Sequence, residues 1–196
     1  RMLEFTYQLA DNPDRLKNHA RTVVESALQT GEKWAKHGGL DGFALCIDYC
    51  FNTGPFLSPS QFGEFVTPYL AKLINGYRDM GFYTIKHTDG NIMPIIDQLV
   101  EANPHALHSL DPQAGVDIAE VKRAYGDRVC LIGNVNCGLM DTGGDEDVAG
   151  SIHYALKHGM PGGGYIFSTS NCIYPGMKLE RYEAMLNIWR TEGNYS

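Results

Sequence analysis

The chain has 196 residues, 43% apolar and 20% charged, with a formal charge of −7 and a pI near 5.4. That apolar share supports a real core and excludes a disordered tail, while an acidic balance without runs of Lys or Arg argues against nucleic acid or an anionic membrane as partner. Five cysteines without paired short spacings read as reduced thiols of a cytoplasmic protein, and no stretch reaches the roughly 18 uninterrupted apolar residues of a membrane span.

In chain order, the opening RMLEFTYQLADNP lacks an initiator Met, so the chain reads as a piece of a longer protein. Residues 12–38 (NPDRLKNHARTVVESALQTGEKWAKHG) read as a helix already under way. GFALCIDY (42–49) has the length and composition of a strand. SPSQFGEFVTPYLAKLINGYRDMG, opening on Ser-Pro and closing at Gly81, predicts a helix over 58–81. A second strand, GFYTIKH (81–87), precedes a helix over 91–103. HALHSL (105–110) precedes a helix over 117–126, and RVCLIGNV (128–135) precedes one over 145–159 with acids at its start and Lys-His-Gly at its end. The fifth strand is GYIFSTS (164–170); the PGGG before it lacks a following Lys-Ser/Thr and reads as a turn.

Strands alternating with helices imply parallel pairing by right-handed crossovers, hence an α/β fold. The runs are apolar on both sides, as strands covered on both faces are. No strand is followed by G-x-G-x-x-G, which disfavours an open dinucleotide-binding sheet. Five strand-helix units in about 155 residues scale to the roughly 250 of an eight-unit (β/α)8 barrel. The chain is therefore expected to be one domain, the C-terminal part of a TIM barrel with about five βα units.

In such barrels chemistry gathers where strands end. Asp48 and Tyr49 end the first strand, His87 and Asp89 the second, Asp111 the third, Asn134 and Asn136 the fourth, and Ser168, Ser170, Asn171 and Cys172 the fifth. These residues are expected to face one mouth, with Gly90 turning KHTDGN into the next helix. His87 and Asp89, two apart on an extended strand, project to one side and could both hold zinc, iron or manganese. Equally, they could hydrogen-bond each other or substrate. Cys46, Asp48 and Cys50 share a strand face, but buried cysteine is the commoner role. His105, His108, His153 and His158 read as structural, and Tyr69, Tyr77, Tyr125 and Tyr154 as packing rings.

The succession LSPSQFGEFVTPYLAKLINGYRDMG, HTDGN, LDPQAGVDIAEVKRAYGDRVCLIGNVN and PGGGYIFSTSNCIYPGMKLERYEAM resembles the C-terminal part of the uroporphyrinogen decarboxylase superfamily. That superfamily has (β/α)8 barrels and includes heme-pathway decarboxylases and methyltransferases acting with corrinoid proteins. The methyltransferase branch carries a zinc site, His-x-Cys-Gly with a later Cys before Pro. Here the first motif is His87-Thr88-Asp89-Gly90, and the later ligand position falls on Asn171 with Cys172 next to it. The decarboxylase branch has a His where Asn171 stands. The resemblance implies methyl transfer from a small methylated substrate to a corrinoid protein, with His87, Asp89 and Asp48 catalytic. Tyr49, Asp111, Asn134 and Asn171 would bind substrate, and His87, Asp89 and Cys172 would hold zinc. The alternatives are decarboxylation of a porphyrinogen and a non-catalytic ligand-binding barrel. A partial barrel exposes two sheet edges, so a homodimer is expected through the first strand (Phe43 to Ile47) and the N-terminal helix.

Overall fold

The computed structural model describes residues 2–195. Helices α1 (Met2–Asp11) and α2 (Pro13–His37) lead into strand β1 (Gly42–Cys46). A short antiparallel hairpin, β2 (Cys50–Phe51) with β3 (Gly54–Pro55), precedes α3 (Pro59–Phe65) and α4 (Thr67–Asp79). Then come β4 (Tyr83–His87), α5 (Ile96–Glu101), β5 (Ala106–His108), α6 (Ile118–Tyr125) and β6 (Cys130–Val135). Helices α7 (Cys137–Thr142) and α8 (Asp145–Gly159), strand β7 (Tyr165–Thr169) and α9 (Leu179–Glu192) complete the chain. Among the described residues, no helix is long and apolar enough to cross a membrane.

Local chemistry explains most boundaries. Ser58 and Gln61 form a reciprocal capping box that starts α3. The single helix expected over 58–81 is instead two, because Pro68 offers no N–H and its ring crowds the carbonyl four residues back; the break falls at Val66. Pro94 has a similar effect after β4, where one turn of 3-10 helix (Met93–Ile95) precedes a shortened α5. Asp117 caps α6 through Ala119 N–H at 2.9 Å. Helices α1 and α7 and the 50–55 hairpin are elements that the sequence did not announce.

The five principal strands pair in parallel in the order β1-β4-β5-β6-β7. A doubly wound sheet reverses its order at a switch point; this one runs straight through, each strand beside the next in sequence, as in a (β/α)8 barrel. Register sorts the side chains into two faces, since paired residues share a face. One face carries Thr84, Lys86, Leu107, Leu131 and Val135, all 1% exposed or less, beneath the packed helices. The opposite face carries the rows Ala44–Ile85–Ala106–Cys130 and Cys46–His87–His108–Ile132–Ile166. Several residues on this second face are open to solvent, including Tyr83 at 63% and Ile166 at 51%. The helices thus cover the sheet on one side only.

Candidate active site

The polar cluster forms where β1, β4, β5 and β7 end. Its frame is the KHTDGN turn. Thr88 N–H donates to His108 O at 3.0 Å, and Thr88 Oγ1 accepts from Tyr49 N–H at 2.9 Å, so the turn is held to both neighbouring strands. Gly90 has φ +84°, and a Cβ there would lie 2.7 Å from the carbonyl oxygens of both Cys50 and Phe51. Only glycine lets the β2–β3 hairpin lie this close, an approach sealed by Asn91 N–H donating to Phe51 O at 2.9 Å.

Three ligand-type groups meet on this frame. The ligand atoms of Asp48, His87 and Asp89 all lie within 4.8 Å of one another. His87 Nε2 stands 3.8 Å from Asp48 Oδ1 and 3.8 Å from Asp89 Oδ1. Asp48 Oδ1 also accepts from Asp89 N–H at 3.0 Å. Asn171, 82 residues further along the chain, donates from Nδ2 to Asp89 Oδ2 at 2.6 Å, which fixes the carboxylate. The other oxygen, Asp89 Oδ1, is buried with no hydrogen-bond partner. A buried carboxylate oxygen without a donor is costly, so this group is built to receive something. Spacings of 3.8 Å suit one cation between a nitrogen and two oxygens, each bonded at about 2.0–2.2 Å. The residues present therefore fit a zinc-type ion, with an N,O,O donor set in place of thiolates.

Of the residues expected at one mouth, Asp48, His87, Asp89 and Asn171 come together. The others do not. Tyr49 packs edge-on against Phe62 with ring centroids 5.0 Å apart, and burial pushes its hydroxyl up to about 12. Asp111 accepts from Gln113 N–H at 3.0 Å and from the backbone of Gly90 and Ala114; it ties the loop after β5 to the KHTDGN turn, and burial raises its pKa. Asn134 donates to Leu110 O at 3.0 Å and borders a separate depression of about 260 Å³ shared with Asp117, Ser151 and Tyr154. Cys172 is exposed and stands outside the three-residue group. It lines, with His108, Asn171 and Trp189, a larger depression of about 560 Å³ beside the cluster. Asn136 caps α7, and Ser170 Oγ accepts from Cys137 N–H at 3.3 Å.

One residue of the cluster was read from the sequence as structural. His108 Nδ1 lies 2.8 Å from His87 Nδ1, and His108 Nε2 lies 3.4 Å from Thr169 O. The pairing follows from register, since His87 and His108 are partners in the β4–β5 ladder.

The lysine of the KHTDGN turn is spoken for. Lys86, 1% exposed, donates to the carbonyls of Leu45, Ile47 and His87 at 3.1, 2.8 and 2.5 Å and lies over the Tyr49 ring at 4.3 Å. Burial lowers its pKa to about 8. Arg181, away from this cluster, is taken up by Asp145 and by the carbonyls of Leu139, Met140, Asp141 and Gly143. The site is thus acidic and imidazole-rich.

Comparison with known proteins gives a consistent frame. Residues 3–191 match the family model described as uroporphyrinogen decarboxylase (URO-D). The uroporphyrinogen decarboxylase of Thioalkalivibrio sulfidiphilus is 26% identical over 144 residues, covering 68% of this chain and 38% of that protein. Its counterpart in Pseudoalteromonas translucida is 25% identical over 141 residues, with the same coverages of 68% and 38%. Among solved structures, a methyltransferase from Methanosarcina mazei superposes with a TM-score of 0.79 at 20% identity, covering 97% of this chain and 53% of that one. The matched segment thus spans well under half the length of the curated relatives. With the family model matched along nearly its whole length, the chain belongs to the uroporphyrinogen decarboxylase family.

Proposed function

We propose that the protein transfers a methyl group from a small methylated substrate to a corrinoid carried by a partner protein, at the Asp48–His87–Asp89 cluster. The observation that carries this reading is Asp89 Oδ1, buried and without a donor, aimed at the same point as His87 Nε2 and Asp48 Oδ1. Zinc held by these three residues would supply Lewis acidity to the heteroatom that bears the methyl group. The chain's own groups have distinct tasks. Asn171 pins Asp89 Oδ2 and so aims Oδ1. Asp48, tied to the Asp89 backbone, places a second carboxylate beside His87. The depression bordered by His108, Asn171 and Cys172 offers a place for substrate beside these groups.

A second reading, decarboxylation of a porphyrinogen, is supported by the names of the curated relatives and by the Asp48–Asp89 pair, which suits a protonated pyrrole. The charge balance favours the first. A polycarboxylate needs cationic partners, while Lys86, in the KHTDGN turn itself, is committed to backbone carbonyls. The test supplies zinc-loaded protein with cob(I)alamin and a panel of small methylated thiols, amines and alcohols. Methylcobalamin should appear with at least one donor and be lost in Asp89→Asn. Turnover of uroporphyrinogen, with no methyl transfer from any donor, would replace this reading with the second.

A further inference from the structure

We infer that His108 is a positioning residue: by accepting a hydrogen bond from His87 Nδ1 it holds His87 as the Nδ1–H tautomer, leaving the bare Nε2 facing Asp48 and Asp89. The inference deepens the metal-site reading above, on which its functional meaning rests, but the tautomer itself can be tested separately.

Two Nδ1 atoms 2.8 Å apart require one donor and one acceptor. If His108 donated, its remaining nitrogen would turn a lone pair toward the Thr169 carbonyl 3.4 Å away, and two acceptors would face each other. The opposite assignment satisfies every contact: His87 Nδ1–H donates to His108 Nδ1, and His108 Nε2–H donates to Thr169 O. The other end of His87 agrees. Its Nε2 lies 3.8 Å from each carboxylate oxygen, beyond hydrogen-bond reach, which suits a lone pair with an atom to be placed between. The relay crosses three strands, from the β7 carbonyl through β5 to β4, and it follows from the ladder pairing of His87 with His108. Ligating histidines generally hand their second N–H to a carbonyl, carboxylate or water; here an imidazole takes that place.

A free histidine side chain prefers the Nε2–H form, so a held Nδ1–H is a readable signature. Long-range proton–nitrogen spectra of metal-free, nitrogen-15 histidine-labelled protein should show His87 as Nδ1–H and His108 as Nε2–H. Asparagine at 108 keeps an acceptor near the Nδ1 position, so His108→Asn should preserve the His87 tautomer, whereas His108→Leu should release it to Nε2–H. Zinc affinity, measured by chelator competition, should fall roughly 10–100-fold in His108→Leu and recover in His108→Asn. An Nε2–H pattern for His87 in the wild type overturns the inference, as does an unchanged tautomer in His108→Leu. Should the leucine variant not fold, an asparagine variant whose His87 has switched to Nε2–H overturns it equally. Wild type that shows the held tautomer but binds no zinc upholds the relay and removes the metal from the proposed function.

Discussion

Replacing Lys86 with methionine isolates the cost of burying an ammonium beside the site. The side chain is 1% exposed, and its pKa is lowered to about 8, chiefly by burial. An unfolded lysine titrates near 10.4, so the gap is about 2.4 pH units, or about 3 kcal/mol. The sign follows from proton counts. Below pH of about 8 both states carry the charge and the penalty is present in full. Between about 8 and 10.4 the unfolded chain holds more protons than the folded one, so stability rises with pH by up to about 1.4 kcal/mol per unit. Cys50, raised to about 11, and Tyr49, raised to about 12, act in the opposite sense at alkaline pH, but both remain in Lys86→Met. Urea unfolding of both proteins, followed by circular dichroism from pH 7 to 10, should therefore show wild type gaining on Lys86→Met by about 2–3 kcal/mol. A constant difference would refute this. A difference that shrinks with pH would mean that the carbonyls of Leu45, Ile47 and His87 hold the ammonium more strongly than burial penalises it.

Zinc supplied to the purified protein should be retained at about one equivalent per chain by elemental analysis and lost in His87→Ala, because a three-residue site has no ligand to spare; full retention in the variant would move the metal elsewhere. Gly90→Ala should destabilise by roughly 2–4 kcal/mol, combining positive-φ strain with a collision against two backbone carbonyls; a change below about 0.5 kcal/mol in thermal or urea unfolding would show that the hairpin yields freely. Light scattering should find at least a dimer, since the helix-free face exposes Tyr83 and Ile166, and Ile47 just past β1 is exposed too; a stable monomer would refute self-association through that face.

Strand positions were legible because each run is short, apolar and bounded by glycine or a polar end, and sequential parallel order followed from the alternation. Helix subdivision was less so. Pro68 sits inside an otherwise continuous helical pattern, and its effect depends on whether neighbours repair the break. The site divides along the same line. Asp48, His87 and Asp89 could be singled out because each lies at or just past a strand end, a local property. His108 could not, because its role depends on cross-strand register, which no single segment encodes; the signal that could have found it was its place at a strand end facing another strand-end histidine. Tyr49 failed in the opposite way. It ends a strand run, yet its ring finds Phe62 and Lys86, and apolar burial outweighs position.

The hydrogen bond between Asp89 and Asn171 also has a meaning in time. The two residues are 82 positions apart, so at roughly 5–20 residues per second of synthesis Asn171 is made about 4–16 s after Asp89. Throughout that interval His87 and Asp89 exist, but neither the amide that aims the carboxylate nor the Thr169 carbonyl that ends the histidine relay has been made. A ribosome-bound chain halted before β7 would thus display the acidic and imidazole groups without their geometry. If the site holds a cation as proposed, binding would require β7 to be in place, and a bound cation would report that β7 has docked.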